Sequence, residues 1–490
     1  MDAATPEPIR SQRLAPADIR SILFGLMLAM LLSALDQTII ATAMPTIGRE
    51  FGNLDQLPWI VTSYLLASTA VTPLYGKLSD MHGRRVTLLI GIVVFVVGSV
   101  ACAVAPTMLT LILARGIQGL GGGGLMALSQ TIVADMVTPR ERGRYQMYFG
   151  AVFASASVGG PVLGGFFAEN LHWSFIFWIN LPLGFLAFWL TNQRLKKLPQ
   201  VERRHQLDLF GAVLLVGATV TLMLVLSWGG LRYPWSSGLI TGLGAGSAML
   251  WVAFVIRMVM AREPLIPLTL LLDRVIGLAA LSSALGMGTY IALTIFVPIY
   301  LEAALGLSAH QSGLALIPLM IGVVCGATAS GQTMARVAHY KRAPSVGLAV
   351  ATLSVGAIAL ATTRLPFWAL ELLMFLTSVG LGTLMPVATV STQNAAPPGH
   401  LGTATAAMNF SRQLMGAIIV AVFGTIVLSG HGGGHALTLE HLSAGGSPEL
   451  VGTFRWVFGA ASVGLGLAFL AFAAMEERPF RDRAPSSPKS

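Results

Sequence analysis

GKLSDMHGRR, Gly76 to Arg85, sets Lys77, Asp80, Arg84 and Arg85 between two apolar runs that are each long enough to cross a bilayer. Charges in that position are expected to sit in water, as a turn on one membrane face. The rest of the chain agrees: hydrophobic residues make up 54%, charged residues 10%, and the mean hydropathy is +0.74. A soluble domain carries about a quarter charged residues. Windows of roughly 19 residues predict fourteen spans, near 21–45, 57–76, 86–105, 107–134, 145–168, 175–193, 209–228, 237–258, 276–301, 312–335, 344–363, 366–390, 403–428 and 453–474. The expected fold class is all-α integral membrane.

An even count puts both termini on one side, and the basic residues say which. Loops on the terminus side hold 24 Lys and Arg, against four (Arg49, Arg232, Arg364 and Arg455) on the other side. By the positive-inside rule both termini are cytoplasmic. A span count wrong by one would scramble this asymmetry. The net charge of +9 is therefore a topology signal, dealt out loop by loop, rather than a patch for nucleic acid. The first apolar run has full spanning length and no small-residue cleavage site behind it, so it reads as an uncleaved anchor. Cys102 and Cys325 fall inside predicted spans and read as packing residues rather than a disulfide.

The sequence repeats internally. GLGGGGLMALSQTIVADMVTP, Gly119 to Pro139, is echoed by GLGTLMPVATVSTQNAAPPGH, Gly380 to His400, at an offset of 261 residues. Gly76-Lys77 with Arg84-Arg85 has a worn counterpart in Gly331, Arg336 and Lys341-Arg342. Two six-helix halves, 21–194 and 276–474, are thus expected, with 195–275 a cytoplasmic linker plus an inserted helix pair, and 1–20 and 475–490 as cytoplasmic ends. Repeated halves around a midplane site are how many secondary transporters are built.

Gly76 to Arg85 resembles the loop-two signature of the major facilitator superfamily. LDQTIIATAMP (Leu35 to Pro45), RGIQGLGGG (Arg115 to Gly123) and GGPVLGG (Gly159 to Gly165) are similar to the first-, fourth- and fifth-span signatures of its drug:proton antiporters. HWSFIFWINLPLG (His172 to Gly184) and FSRQLMGAI (Phe410 to Ile418) look like features of the fourteen-span branch. The resemblance runs from about Ser21 to Met475. It departs where Ala335 stands opposite Asp80 in the worn copy of the loop signature, which leaves any latch between the halves asymmetric.

An ionisable residue near the bilayer centre costs about 2.5–3.5 kcal/mol or more, so a retained one marks a pathway or a partner. Asp36 and Arg115 fall at similar depth in the first and fourth spans and could meet. The resemblance favours Asp36 as a carboxylate that takes a proton outside and gives it up inside, with Arg115 keeping it ionised in one state and releasing it in another. The alternative is a fixed pair that never titrates. In the second half, Glu371 and Arg412 are the plausible partners, for packing or for proton coupling. Around the signature turn, Asp80 could cap the helix that begins near Leu401 and Arg84 could engage Asp135. Lys77, Arg85, Gly76 and Gly83 complete a conformational latch, largely by resemblance; the plainer reading is that the basic residues only obey topology.

Gly119 and Gly121 to Gly124 lack the Gly-Lys-Ser/Thr ending of a phosphate loop, and close helix packing explains them. Gly160, Pro161, Gly164 and Gly165 give the fifth span a smooth face and a place to bend. Gln37, Gln118, Met126, Met287, Tyr290, Phe296 and Asn409 lie at depths consistent with a substrate cavity, although ordinary packing is the stronger reading for the last five and helix–helix hydrogen bonding accounts equally for Gln37 and Gln118. His431, His435 and His441 have no metal-site spacing and read as an outer loop.

Together these readings point to a proton-coupled exporter of lipophilic, cationic compounds in the plasma (bacterial inner) membrane, working by alternating access, with no cofactor or metal and driven by the proton gradient. The expected partners are the bilayer, small lipophilic substrates and protons, with a functional monomer. Some members of the resembling family use periplasmic adaptors, and nothing in this sequence selects for or against one. Export of an endogenous amphiphile, lipid or siderophore is the nearest alternative. A membrane sensor or enzyme on a transporter fold is the alternative from another class, but no nucleophile constellation or sizeable soluble domain speaks for it.

Overall fold

The computed structural model describes residues 16–52, 56–197, 207–230, 232–337, 339–362, 364–397, 399–429 and 448–479. His431, His435, His441 and residues 198–206 of the linker lie outside them. Fourteen helices are long and apolar enough to cross a membrane: α1 (Asp18–Phe51), α2 (Leu57–His82), α3 (Arg84–Ala103), α4 (Met108–Met136), α5 (Pro139–Asn170), α6 (Phe175–Arg194), α7 (Leu209–Trp228), α8 (Gly238–Met260), α9 (Arg274–Leu305), α10 (His310–Met334), α11 (Arg342–Ala361), α12 (Phe367–Ala395), α13 (Leu401–Leu428) and α14 (Gly452–Ala474). Helix is what hydrocarbon demands, since every backbone polar group must be satisfied within its own segment.

Two helix ends differ from the sequence reading. α1 continues six residues past Pro45 to Phe51, because a proline removes one backbone bond without ending a helix that its neighbours hold. The signature stretch is not a water-exposed turn. Gly76 to His82 form the last turns of α2, Gly83 alone makes the corner with φ +87°, and Arg84 already opens α3. Lys77 and Asp80 are 3% and 6% exposed; their charges are met by protein groups instead of water.

α1–α6 pack on one another around Leu26, Phe95, Leu125 and Leu128, and α9–α14 around Leu293, Leu384, Phe454 and Phe458. The glycines explain how α4 and α12 come to lie so deep. A methyl group at Gly121 would stand 2.2 Å from Phe95 N in α3, and one at Gly123 2.2 Å from Ser68 O in α2. In the second copy, Gly380 meets Gly347 O of α11 at 2.1 Å and Gly382 meets Val323 O of α10 at 2.2 Å. The sequence repeat is therefore a repeat of helix contacts, with small residues letting backbones touch.

The inserted pair, α7 and α8, is clasped at its base by Asp208, which caps α7 through Gly211 N (3.0 Å) and accepts from Arg257 of α8 (3.0 Å). Ala212, Leu215, Phe254 and Met258 of this pair pack against Leu74 of α2 and Ala407 and Phe410 of α13. The pair thus lies along the line where the two six-helix groups meet. Its outward side is apolar, with Met249, Val252 and Met260 exposed.

Candidate functional site

A fully buried ion pair lies within the first helix group. Asp36 sits 18 residues after the start of α1 and 15 before its end, and is 1% exposed. Arg115 Nη1 donates to Asp36 Oδ2 (2.5 Å) and to Gln118 Oε1 (2.7 Å), while its Nε donates to the Ile60 carbonyl (3.0 Å). Gln118 Nε2 donates to Asp36 Oδ1 (2.8 Å) and Ser99 Oγ (3.0 Å). Asn180 Nδ2, on α6, reaches Ser99 Oγ (2.8 Å) and Asp36 Oδ1 (3.4 Å). The guanidinium also lies 4.5 Å from the centre of the Tyr64 ring and 5.8 Å from that of Phe177. Five helices, α1, α2, α3, α4 and α6, therefore converge on one neutralised ion pair. Removing one member of such a buried pair costs about 3–5 kcal/mol, because the other is left uncompensated.

This places Gln118 inside the charge network, fully buried, rather than on a cavity wall. Ser99, Asn180 and Tyr64 were not singled out from sequence. The signal that could have found Asn180 is an amide in the otherwise apolar run FIFWINLPLG.

Glu371 and Arg412 do not meet. Arg412 Nη2 donates to Thr389 Oγ1 (3.1 Å) and lies 3.6 Å from Met408 Sδ. Thr389 stands 18 residues from Glu371 in the continuous helix α12, about 27 Å at 1.5 Å per residue. Arg412 is 6% exposed, its Nε has no protein partner, and no carboxylate of the described residues lies within ion-pair distance.

The latch residues converge at the face that carries both chain ends. Asp80 accepts from Gly402 N (3.0 Å), Thr403 N (2.7 Å) and Thr403 Oγ1 (2.7 Å) at the start of α13. Arg84 bridges Asp80 (2.6 Å) and Asp135 (2.8 Å). Arg85 donates to Asn192 Oδ1 (2.5 Å) within its own helix group, and Lys77 reaches the Pro264 carbonyl at 3.5 Å. Gly76 lets α2 and α13 touch: a methyl group there would lie 2.4 Å from Ala406 Cβ. The other hydrogen bonds between the helix groups, among the described residues, are Asn409 Nδ2 to Gln130 Oε1 (2.9 Å), Gln393 Nε2 to the Gln130 carbonyl (3.3 Å) and Thr69 Oγ1 to Gln413 Oε1 (2.8 Å). All lie between mid-helix and the face of the termini. In the same region α5 and α10 touch at Gly143 and Gly331.

The remaining candidates divide. In α5, Gly160 and Gly164 press on Thr38, Ile39 and Thr42 of α1, whereas Gly159 and Gly165 have open space and Pro161 is exposed. Asn409 serves the bridge to Gln130, and Phe296 is buried against Phe423 with ring centres 5.9 Å apart. Met126, Met287 and Tyr290 are half-buried and Gln37 is exposed.

The Major Facilitator Superfamily model matches residues 26–420. Multidrug resistance protein 3 of Bacillus subtilis (strain 168) is 36% identical over 412 residues, 84% of this chain and 80% of that protein. Multidrug transporter protein MdtP of the same strain is 33% identical over 409 residues, 83% and 75% of the two chains. Among solved structures, a bacterial homologue of the iron transporter ferroportin in an outward-facing state superposes with a TM-score of 0.67, covering 94% of this chain and 100% of that one. The proton:xylose symporter XylE superposes at 0.63, covering 93% and 95%. At 14% and 16% identity these two bear on the fold alone. The matched stretch, the relatives and the fourteen membrane helices agree: this chain belongs to the Major Facilitator Superfamily and is a multi-pass membrane transporter, not an enzyme.

Proposed function

We propose that this transporter exports small lipophilic compounds across the plasma membrane in exchange for protons, by alternating access. Relatives named as multidrug transporters, over four-fifths of the chain, support the efflux direction. The distribution of 24 basic residues against four supports cytoplasmic termini, so the closed face is the inner one and the arrangement corresponds to an outward-facing state.

The observation that carries proton coupling is the buried Asp36–Arg115 pair. Arg115 donates to Asp36 Oδ2 and Gln118 to Oδ1; a proton on Asp36 removes the negative charge that holds the buried guanidinium, and weakening that pair rearranges the meeting point of five helices. Coupling of this kind gives one ligand, the proton, a different affinity for two conformations, which is what alternation requires. A potential of about 150 mV supplies roughly 3.5 kcal/mol per charge moved, enough for a gradient of a few hundredfold of a neutral compound. Export of an endogenous amphiphile, lipid or siderophore would use the same machinery.

The test is dye transport in proteoliposomes under an imposed pH gradient, comparing wild type with Asp36→Asn. Gradient-driven transport in wild type that disappears in the variant, with dye binding retained, is the expected result. Equal transport by both proteins would remove Asp36 from the coupling role.

A further inference from the structure

The fixed charge inside the membrane is positive. Among the described residues, charged side chains seven or more residues from either end of a membrane helix are three: Asp36, Arg115 and Arg412. The first two cancel within 2.5 Å of each other, which leaves Arg412 as the net charge. It is 6% exposed, and among the described residues its Nε has no partner and its donations go to a neutral hydroxyl and a thioether. A guanidinium in that setting is an incomplete site. Burial raises the cost of a charge that water no longer solvates, and an anion with oxygen acceptors offsets it most strongly.

The surroundings place this group beside the contact between the helix groups. Arg412 stands three residues from Asn409, whose amide meets Gln130 of α4, and is followed by Gln413, which holds Thr69 of α2. Thr389, its hydroxyl partner, lies four residues from Gln393, which reaches the Gln130 carbonyl. These amides close the gap between the groups toward the face of the termini, and Arg412 lies on the midplane side of Asn409 and Gln393. An acidic head group descending between the groups from the opposite face would meet the guanidinium at the level of Gln413, with Asn409 and Gln393 beyond it.

We infer that Arg412 is the recognition site for the negatively charged group, carboxylate or phosphate, of an amphiphilic cargo, so that the transporter prefers anionic or zwitterionic amphiphiles over lipophilic cations. This rests on the exporter reading and reverses the charge class expected from sequence. The central carboxylate, which would otherwise favour a cation, is already neutralised by Arg115.

The experiment uses the full chain in nanodiscs and proteoliposomes, with a xanthene dye bearing a free carboxylate and the methyl ester of the same dye. Wild type and Arg412→Lys are expected to bind the acid more tightly than the ester, and Arg412→Gln to lose about tenfold or more in affinity for the acid with the ester unchanged. An equal loss for both dyes in Arg412→Gln would assign the residue to packing and overturn the inference, as would wild type that binds the ester as tightly as the acid. Repeating the binding in phosphatidylcholine discs with and without phosphatidylglycerol separates the sources: competition by the anionic lipid identifies its phosphate as the occupant, and indifference identifies free cargo. Transport under a pH gradient is scored separately. Selective binding of the acid without gradient-driven transport leaves the anion site standing and removes the proton-coupled exporter reading.

Discussion

Replacing Asp80 by Asn is expected to open the face of the termini. Asp80 takes four donations: Arg84 Nη1 at 2.6 Å, Thr403 N and Oγ1 at 2.7 Å each, and Gly402 N at 3.0 Å. The two backbone donors belong to the first turn of α13, so one carboxylate both caps that helix and meets the positive end of its dipole. Asparagine has nearly the same shape but one acceptor oxygen and no charge. Loss of a cap costs about 0.5–2 kcal/mol, and a hydrogen bond to a charged group is worth about 1.5–3 kcal/mol. A total of about 2–5 kcal/mol against the latched state follows, and at 1.4 kcal/mol per decade this shifts the conformational equilibrium roughly 30- to 4,000-fold. The assay is electron paramagnetic resonance distance measurement between spin labels at His82 and Gln332, exposed positions near the ends of α2 and α10, in a background with Cys102 and Cys325 replaced. Wild type should give one short distance, and the variant a second, longer population. An unchanged distribution in Asp80→Asn would refute the reasoning, since that substitution weakens the bonds that hold α2 to the start of α13.

Four further outcomes are expected. Gly121→Ala puts a methyl group 2.2 Å from backbone of α3, so folded yield should fall sharply; Gly116→Ala, with nothing within 4 Å, should express like wild type. Arg115→Lys keeps the charge but not the fork that reaches Asp36, Gln118 and Ile60 together, and should lower the melting temperature in detergent even though the ion pair can persist. Arg257→Gln removes the clasp on Asp208 at the base of the inserted pair, and hydrogen exchange there should quicken while exchange around Asp36 stays constant. Asp273 is pushed up by burial, but donation from Ile276 N, Arg478 and Val275 N outweighs this and sets its carboxyl below the ordinary carboxylate range. Its hold on the C-terminal segment is therefore complete above an unfolded pKa of about 4 and lost only as pH falls through the lower folded value, so the mobility of a spin label placed at the exposed position Pro479, read by electron paramagnetic resonance, should stay flat from about pH 8 to 5 and rise only in stronger acid.

Hydropathy made the fourteen helices legible because a bilayer leaves so few alternatives, and the positions of Gly121 and Gly382 made the repeat legible because backbone contact tolerates no side chain. Depth along a helix was enough to bring Asp36 to Arg115. The same reasoning failed for Glu371 and Arg412 because their depths differ: Glu371 stands in the second turn of α12, whereas Arg412 reaches Thr389, 18 residues further along that helix. The signature stretch misled in a more instructive way. Charged residues between apolar runs imply water only if no protein group awaits them, and Asp80 is met by the start of α13, 322 residues later in the chain. The amides Asn180, Gln130 and Gln393 escaped notice because a neutral polar residue carries no visible penalty until its burial is known.

The inserted pair changes what the surrounding lipid can reach. A transporter made of two related halves has two lateral seams, here between α2 and α13 and between α5 and α10. The first is roofed by α7 and α8 through Leu215, Phe254 and Phe410, so hydrocarbon chains meet the pair instead of the seam. The second is flanked directly by exposed Val158, Val162 and Phe166 on α5 and by Leu314, Ile317 and Ile321 on α10. Any compound that enters sideways from the membrane leaflet therefore has one doorway rather than two. The molecule is chiral in its traffic with the bilayer even though its halves are copies of one plan.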